Sequence, residues 1–253
     1  MLKELLFKTS LFPAARAAYQ RTFRPEVAVH RARMGAFYSQ FFQPGDVVFD
    51  VGANLGEYAE VFAWEGATVV AIEPNTAFRL RLNALSRNSQ IKPIFCAIGA
   101  EKGSATLNVC SHAAYSTLAP VETDWIKDSP DYEGVKWTHA IEVPVTTLDA
   151  LTEEFGIPTF IKIDVEGFEI GVLRGTTFRP RNLSFEFGAR RLEAGLECLE
   201  HLGAQQYEFR PIVGRDYRFA TPEWMSYSQA KAWLSDFTVE VGEYGDMFAH
   251  RLA

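Results

Sequence analysis

A short segment near the beginning of the chain has the residue types of a ligand-binding turn. The sequence VFDVGANLGEY, residues 48–58, places an aspartate, two glycines and an asparagine directly after β-branched apolar residues. Gly52 and Gly56 suit a tight turn in which the backbone approaches a ligand closely. A dinucleotide-binding turn instead reads GxGxxG and holds a pyrophosphate at a helix N-terminus. Because Asp50 would repel a phosphate and attract an ammonium or sulfonium group, the segment predicts a ligand with a cationic tail.

A second acidic residue lies at the end of the next apolar run. Glu73 closes the segment TVVAIE and is followed by Pro74. At this position of a nucleotide-binding sheet, an acidic side chain accepts hydrogen bonds from the ribose hydroxyls. A ribose joined to a cationic amino-acid tail describes S-adenosylmethionine. Asp50 and Glu73 together therefore predict that cofactor, and Asn54 in the turn is expected to bind its tail.

A third group of acidic residues lies later in the chain. The segment KIDVEGFE places Asp164 at the end of an apolar run and Glu166 two positions further on, and Glu186 closes the next run. The carboxyl ends of parallel strands meet at one edge of a sheet, so Asp164 and Glu186 are expected to face the same cleft. A hydroxyl acceptor needs a general base, and these three carboxylates are the predicted catalytic residues. Alternatively, Glu166 and Glu169 cap the helix that begins near residue 167.

Metal sites and disulfides receive little support from the sequence. The three carboxylates have the hard oxygen ligands that Mg²⁺ and Ca²⁺ prefer, but their spacing does not require a metal, and none is predicted. The cysteines Cys96, Cys110 and Cys198 are odd in number, far apart and without CxxC spacing. Neither a disulfide framework nor a zinc site is therefore expected, and the predicted compartment is the reducing cytoplasm.

Length and charge limit the class of protein and its partners. A chain of 253 residues with 47% hydrophobic residues can bury one sizeable core. The net charge of −7 and the isoelectric point near 5.3 argue against nucleic acid as the main partner. A small molecule or a glycan is the expected acceptor, and the sequence does not predict an oligomeric state.

Apolar runs alternate with helical segments along the chain. This alternation is typical of βαβ units, which form a parallel sheet with helices on both faces, so an α/β fold is predicted. The predicted strands are 47–51, 68–73, 92–98, 159–165 and 182–187, with two late strands at 206–213 and 246–252. The predicted helices between them are 57–63, 77–86, 147–155 and 168–173, and further helices follow after residues 189 and 221.

The domain organisation follows from the segments outside this alternation. Residues 1–40 are predicted to form an N-terminal helical extension, and 41–253 a single domain with an insertion at about 104–145. The basic amphipathic start of the chain is expected to pack on the domain's own flank rather than on a membrane surface. The insertion is expected to be partly irregular and to shape the acceptor site. Its candidates for contacts with the acceptor are His112, Ser116, Tyr115, Trp125, Tyr132 and Trp137.

Four segments in sequence order carry a resemblance to a known family. They are FFQPGDVVFDVGANLGEYAEVFAWEGATVVAIEPN, TTLDAL, FIKIDVEGFEIGVLRG and LSFEF, and they lie between Phe41 and Phe187. Together they resemble the motifs of the FkbM-type S-adenosylmethionine-dependent methyltransferases. The resemblance implies a Rossmann-like sheet of seven strands, mostly parallel, with one antiparallel strand near the C-terminus. It also implies O-methylation of a hydroxyl on a sugar, glycan or natural product, and an adenine contact near Ala97.

The predicted function is therefore S-adenosylmethionine-dependent methyl transfer. Two alternatives stay open: an NAD(P)-dependent oxidoreductase on the same sheet, which Asp50 and the missing third glycine disfavour, and a non-catalytic binding protein that keeps the fold. The predicted cofactor-binding residues are Asp50, Gly52, Asn54, Gly56, Glu73, Pro74, Ala97 and Asp164.

Overall fold

The computed structural model describes residues 25–88, 90–119, 136–203 and 206–252, which form two β-sheets and surrounding helices. The strands are β1 (Val47–Val51), β2 (Thr68–Ile72), β3 (Ile91–Ile94), β4 (Ala97–Ile98), β5 (Gly103–Cys110), β6 (Trp137–Thr146), β7 (Phe160–Ile163), β8 (Asn182–Gly188), β9 (Tyr207–Val213) and β10 (Tyr244–Arg251). The α-helices are α1 (Pro25–Tyr38), α2 (Glu57–Trp64), α3 (Arg79–Leu85), α4 (Leu148–Phe155), α5 (Glu169–Leu173), α6 (Leu192–Gly203) and α7 (Tyr227–Ser235).

The large sheet has seven strands in the described part of the chain. Their order is β3-β2-β1-β7-β8-β10-β9. Strand β10 is antiparallel to both of its neighbours, and the pairs among β3, β2, β1, β7 and β8 are all parallel. The chain order reverses between β1 and β7, and ligands of such sheets bind beyond the strand ends at this point. The predicted α/β fold, with a mostly parallel sheet and one antiparallel strand near the C-terminus, is confirmed.

Both faces of the large sheet are covered by helices because its central strands are apolar on both sides. In β1, Val48 and Phe49 belong to different buried clusters, as the alternation of side chains along a strand requires. Buried residues of α4, α5, α6 and α7 pack with Phe49 on one face. Buried residues of α1, α2 and α3 pack with Val48 on the other. The expected helices on both faces are therefore present.

The first described helix is part of the core. Met34 and Tyr38 of α1 are fully buried, and just beyond the helix Phe41 stacks on Phe248 of β10 with ring centroids 4.8 Å apart. Residues 25–38 therefore share the core of the segment that follows them. The division of the chain at residue 40 stays a prediction, and the amphipathic segment before residue 25 lies outside the described residues.

The structure differs from the sequence-based expectations most clearly in and around the insertion. The predicted strand 92–98 is two strands, because the chain leaves the large sheet after Ile94 and β4 joins a small sheet of order β4-β6-β5. Strand β6, which was not predicted, pairs antiparallel with β5. Its side chains are mostly exposed, so it lacks the apolar run that marks a central strand. Residues 120–135, with Trp125 and Tyr132, lie outside the described residues.

Candidate active site

A cavity of about 390 Å³ lies beyond the carboxyl ends of the parallel strands. Its wall is formed by the loops that follow β1, β2, β7 and β8, by residues of the insertion, and by residues near the start of β10. This is the edge of the sheet, next to the reversal of strand order, at which ligands of such folds bind.

The loop after β1 forms one end of the cavity and depends on its glycines. The backbone N–H groups of Gly52 and Ala53 donate to the carbonyl oxygen of Ile72, at 2.9 and 3.0 Å. Gly52 has φ of +85°, and a Cβ there would overlap the carbonyl oxygen of Asp164. Asn54 also has a positive φ, of 50°, which asparagine tolerates better than most residues. The two glycines predicted for the cofactor, Gly52 and Gly56, are thus required by backbone conformation and by close packing.

Glu73 joins this loop to the loop after β2. Its Oε2 accepts a hydrogen bond from the backbone N–H of Asn54 at 2.8 Å, and its Oε1 accepts one from that of Asn75 at 2.7 Å. The side chain is buried, yet it lines the cavity together with Pro74. Burial raises the pKa of Glu73 to about 7, although the two backbone donors act in the opposite direction. Each carboxylate oxygen keeps a lone pair that a ligand hydroxyl can use.

Asp50 lies beneath the cavity rather than in its wall. It is 1% exposed and does not line the cavity, because its side chain points to the face of the sheet that Val48 also faces. Neither carboxylate oxygen has a hydrogen-bond partner among the described residues. Burial raises its pKa to about 6, and Lys162 on the neighbouring strand opposes this shift. A direct contact between Asp50 and a cofactor stays a prediction, whereas its charge contributes to the raised pKa of Glu73 in the cavity wall.

The predicted adenine contact lies in an apolar part of the wall. Ala97 lines the cavity together with Cys96, Ile98, Leu107 and Leu118. Ala97 and Ile98 form β4, so the small sheet, rather than the end of a strand in the large sheet, presents this surface.

The three predicted catalytic residues lie together in a second part of the cavity, which meets the loop after β1 where Gly52 contacts Asp164. Asp164 follows β7 directly, and its backbone N–H donates to the carbonyl oxygen of Val51 at 2.9 Å. Carboxylate oxygens of Asp164, Glu166 and Glu186 lie within 4.8 Å of one another. Glu166 has φ of 58°, an uncommon conformation for a residue with a Cβ. The loop after β7 and the end of β8 therefore form one acidic cluster, defined as Asp164, Glu166 and Glu186.

The members of the acidic cluster differ in their cationic partners. Asp164 Oδ2 lies 2.7 Å from Lys162 Nζ, and Glu166 Oε2 lies 3.0 Å from Arg191 Nη2. Among the described residues, the cationic partner of Glu186 is the same guanidinium at a longer distance, 3.9 Å. Burial and the neighbouring Asp164 raise the pKa of Glu166 to about 7, and burial with both neighbouring acids raises the pKa of Glu186 well above its usual value. Glu186 is thus the cluster member with the weakest charge compensation.

Arg191 was not predicted as a site residue. It follows β8 by three positions, and its backbone N–H donates to the carbonyl oxygen of Gly188 at 2.9 Å, which turns it back towards the cluster. The acidic cluster has the oxygen ligands of a divalent-metal site, but Arg191 already places a positive charge against Glu166 and Glu186. The one signal for Arg191 in the sequence is its position just beyond the strand that ends near Glu186.

Glu169 lies beside this cluster, and His112 lies apart from it. The Oε1 of Glu169 accepts hydrogen bonds from the backbone N–H groups of Val165 and Gly167, at 3.1 and 3.0 Å, and the side chain is buried. This geometry favours the capping interpretation of Glu169. His112 is exposed and does not line the cavity, whereas Ser116 and Tyr115 of the insertion do.

Residues from the C-terminal part of the chain complete the wall at the mouth of the cavity. They were not predicted, because no motif precedes them and the topology alone brings β10 and the turn after β9 to this edge. Arg215 pairs with Glu57 at 3.3 Å, and Arg190 pairs with Glu243 at 3.4 Å. Tyr244 is among the exposed large hydrophobic residues.

No helix in the residues that the structure describes combines the length and apolar composition that crossing a membrane requires.

The solved structures that resemble the chain include precorrin-6y C5,15-methyltransferase from Geobacter metallireducens GS-15, with a TM-score of 0.40, 12% identity, and coverage of 88% of this chain and 86% of that one. They also include the plantazolicin methyltransferase BpumL in complex with SAH, with a TM-score of 0.42, 11% identity, and coverage of 98% and 93%.

Similarity in sequence is more specific. A hexuronic acid methyltransferase, AglP of Haloferax volcanii, is 29% identical over 142 residues, which are 55% of this chain and 54% of that protein. The chain thus matches about half the length of this curated relative. The family model described as the methyltransferase FkbM domain matches residues 50–228, which include the glycine loop, Glu73 and the acidic cluster. The chain belongs to the FkbM methyltransferase family.

Proposed function

We propose that the protein transfers a methyl group from S-adenosylmethionine to a hydroxyl of a sugar or glycan. The observation that carries this proposal is one cavity with two different ends. A glycine loop and a buried glutamate form one end, which suits a nucleoside with an amino-acid tail. The acidic cluster forms the other, which suits the removal of a proton from a hydroxyl.

The first end fits the donor in shape and in hydrogen bonding. Glu73 lines the cavity and would accept hydrogen bonds from the ribose hydroxyls, and Ala97 belongs to an apolar surface that suits adenine. Gly52 and Asn54 line the cavity, and Gly52 has no Cβ at the tightest point of the turn. This leaves room for the amino-acid tail of the donor. Bound here, the donor would supply a methyl group activated by a positively charged sulfur.

The charge of the cavity also favours a cationic donor over a dinucleotide. Carboxylates outnumber cationic side chains among the described residues of its wall, so the wall would repel a pyrophosphate. The carboxylates are Glu57, Glu73, Asp164, Glu166, Glu186, Glu243 and Asp246, and the cations are Arg190, Arg191 and Arg215. This excess supports the methyltransferase over the NAD(P)-dependent oxidoreductase.

Glu186 is the proposed general base. Asp164 and Glu166 are each held by a close cationic partner, at 2.7 and 3.0 Å, whereas the guanidinium of Arg191 lies 3.9 Å from Glu186. The raised pKa of Glu186 makes its carboxylate a stronger proton acceptor than an ordinary glutamate. Glu186 would take the proton of the acceptor hydroxyl, and Arg191 would stabilise the remaining charge of the cluster. Much of the remaining acceleration would come from aligning oxygen, methyl and sulfur.

The proposal of a sugar acceptor is supported by the curated relative, whose name describes methylation of a hexuronic acid. The mouth of the cavity offers a partly exposed aromatic ring, Tyr244, beside the Arg215–Glu57 ion pair. Aromatic faces and paired charges suit the apolar face and the hydroxyls of a sugar ring. A nucleic-acid acceptor is disfavoured by the chain's net charge of −7.

Two measurements test the proposal in sequence. S-Adenosylmethionine or S-adenosylhomocysteine should raise the melting temperature, whereas NAD(H) and NADP(H) should not. Labelled donor should then label at least one member of a panel of neutral sugars, uronic acids and hydroxylated metabolites. Stabilisation by the dinucleotides alone would contradict the proposal. Donor binding without transfer to any acceptor would favour the non-catalytic binding protein.

The proposed compartment is the cytoplasm, as the cysteine content predicts. All three cysteines are free and buried, so the described core contains thiols but no disulfide. Labelling of the unfolded protein with a thiol reagent after extraction tests this: three reactive thiols are expected, and fewer would contradict it.

A further inference from the structure

Lys162 is a charged residue in the centre of an otherwise apolar strand. It lies in β7, whose other residues are Phe160, Ile161 and Ile163, and it is 1% exposed. Its Nζ lies 2.7 Å from Asp164 Oδ2 and 4.2 Å from the centre of the Tyr58 ring. The ammonium group therefore sits beneath the floor of the cavity, in contact with one member of the acidic cluster.

Acidic groups face Lys162 from three strands of the sheet. Asp50 of β1 is its direct neighbour across the strands, Asp164 follows on its own strand, and Asp246 of β10 adds a third negative charge. These three carboxylates raise the pKa of Lys162 above its usual value, although burial acts in the opposite direction. The ring of Tyr58 on α2 covers the ammonium group, and Tyr38 on α1 faces the same three carboxylates. Lys162 therefore carries its charge throughout the working pH range.

A buried charge at this position needs a reason other than stability. Removing an ammonium group and its partners from water costs free energy, and apolar residues of similar volume often stabilise a core equally well. The neighbouring positions of β7 show that this strand readily accommodates such residues. Within the described part of the chain, the ion pair from Lys162 reaches the acidic cluster from the core side of the cavity, whereas Arg191 reaches it from the loop after β8.

The geometry of the pair assigns a direction to the Asp164 carboxylate. With Oδ2 bound to Lys162, and with the backbone N–H of Asp164 bound to Val51, both ends of the residue are fixed. The side chain is still 27% exposed and lines the cavity, so Oδ1 remains available there as an acceptor.

We propose that Lys162 is a positioning residue, which holds Asp164 from beneath so that Oδ1 of this carboxylate orients the acceptor hydroxyl towards the methyl group. This rests on the proposed methyl transfer, and it leaves proton removal to Glu186. Asp164 then acts as a fixed hydrogen-bond acceptor, and Lys162 acts only through it.

A double-mutant cycle of Lys162→Met and Asp164→Asn tests this coupling. Single-turnover methyl transfer is measured at saturating donor and expressed per donor-binding site, so that a loss of folded protein does not count as a loss of rate. Lys162→Met should lower the rate about 30-fold in the wild-type background and less than about threefold in the Asp164→Asn background. A role limited to stability would leave the rate per donor-binding site unchanged.

The double variant removes one charge of each sign, which protects it against misfolding. If Lys162→Met alone is not recovered folded, Lys162→Arg replaces it, since arginine keeps the charge but presents a longer, planar group to Asp164. Its loss of rate should likewise disappear in the Asp164→Asn background. Equal losses in both backgrounds, or no loss, would overturn the role of Lys162 while the proposed function stands. A wild-type protein that labels no acceptor would overturn both.

Discussion

The two ends of the cavity are built in different ways. At the donor end, the contacts are made by backbone groups and by glycines whose conformations leave no room for a Cβ. At the acceptor end, they are made by charged side chains that repel one another and are held by Lys162 and Arg191. The first end depends on shape and the second on charge.

This difference indicates where substitutions should act. A change at the donor end alters a rigid turn, so it should affect donor binding and the fold. An amide substitution in the acidic cluster removes a charge but keeps nearly the same side-chain shape. It should therefore lower the rate of methyl transfer while the donor still binds. Four substitutions or conditions test this division.

The largest effect is expected from Gly52→Ala. The new Cβ would overlap the carbonyl oxygen of Asp164, and φ of +85° is unfavourable for alanine. Donor affinity, measured by calorimetry, should fall more than about 100-fold, since the turn must move to relieve the overlap. The matched control is Gly45→Ala, at φ of +94° with open space around the Cβ, which should keep donor affinity. An equal loss of donor affinity in Gly45→Ala would show that backbone strain alone, without the close packing at Gly52, is enough to cause it.

Glu186→Gln should lower the rate of methyl transfer by about 10²–10⁴, because the amide keeps the shape of the side chain but cannot accept the proton. Donor affinity should change less than about threefold, since Glu186 lies in the other part of the cavity. Single-turnover measurements at saturating donor separate the two quantities.

The control for this substitution is Glu169→Gln. Glu169 lies beside the acidic cluster, but its carboxylate is occupied by two backbone N–H groups of the loop after β7, so its change should lower stability by about 1 kcal/mol and leave most of the rate. A wild-type rate for Glu186→Gln would remove Glu186 as the base and leave Glu166 as the next candidate.

Glu73→Ala should weaken donor binding about 10- to 100-fold, the range expected for a lost charged hydrogen-bond partner. It should also lower the melting temperature, because the backbone N–H groups of Asn54 and Asn75 lose their acceptor. A donor analogue without ribose hydroxyls distinguishes the two roles. In the wild type the analogue should bind more weakly than S-adenosylhomocysteine, and in Glu73→Ala this difference should disappear. If the analogue and S-adenosylhomocysteine differ in affinity as much in Glu73→Ala as in the wild type, Glu73 joins the two loops but does not bind the ribose.

The last test is the dependence of stability on pH. The pKa values of Asp50 and Asp246 are raised to about 6, and those of Glu73 and Glu166 to about 7, mainly by burial. Between about pH 4 and pH 7 the folded protein therefore binds more protons than the unfolded chain, so the free energy of unfolding should fall as pH rises through this range. Urea unfolding at pH 5 and pH 8 measures it. Greater stability at pH 8 would show that these carboxylates are compensated more fully than their pKa values indicate.

The donor end could be predicted largely from the sequence. Strand β1 has the predicted bounds, and Gly52 and Glu73 line the cavity whereas Gly56 does not, because a strand, its turn and the next helix are local in the chain. The resemblance of successive motifs to one family extended this to the number of strands in the large sheet and to its one antiparallel strand.

The acceptor end could be predicted only in part. The sequence predicted the strand-end acids Asp164, Glu166 and Glu186, but it did not predict their cationic partners. In the sequence, Arg191 looks like the first residue of a helix, and Lys162 looks like an interruption of an apolar strand. Strand β6 was missed because its exposed faces give no apolar pattern.

The sequence by itself determined the strand–turn–helix units, the positions at which glycine is needed and the acids at the strand ends, because each follows from local conformation and the alternation of side chains. Only the tertiary structure decided which charges meet. Asp50 points beneath the cavity, Lys162 binds Asp164, and Arg191 leaves Glu186 the least compensated acid. These relations join residues of different strands and loops, and the strength of a charge interaction depends on distance and burial, which a sequence does not contain.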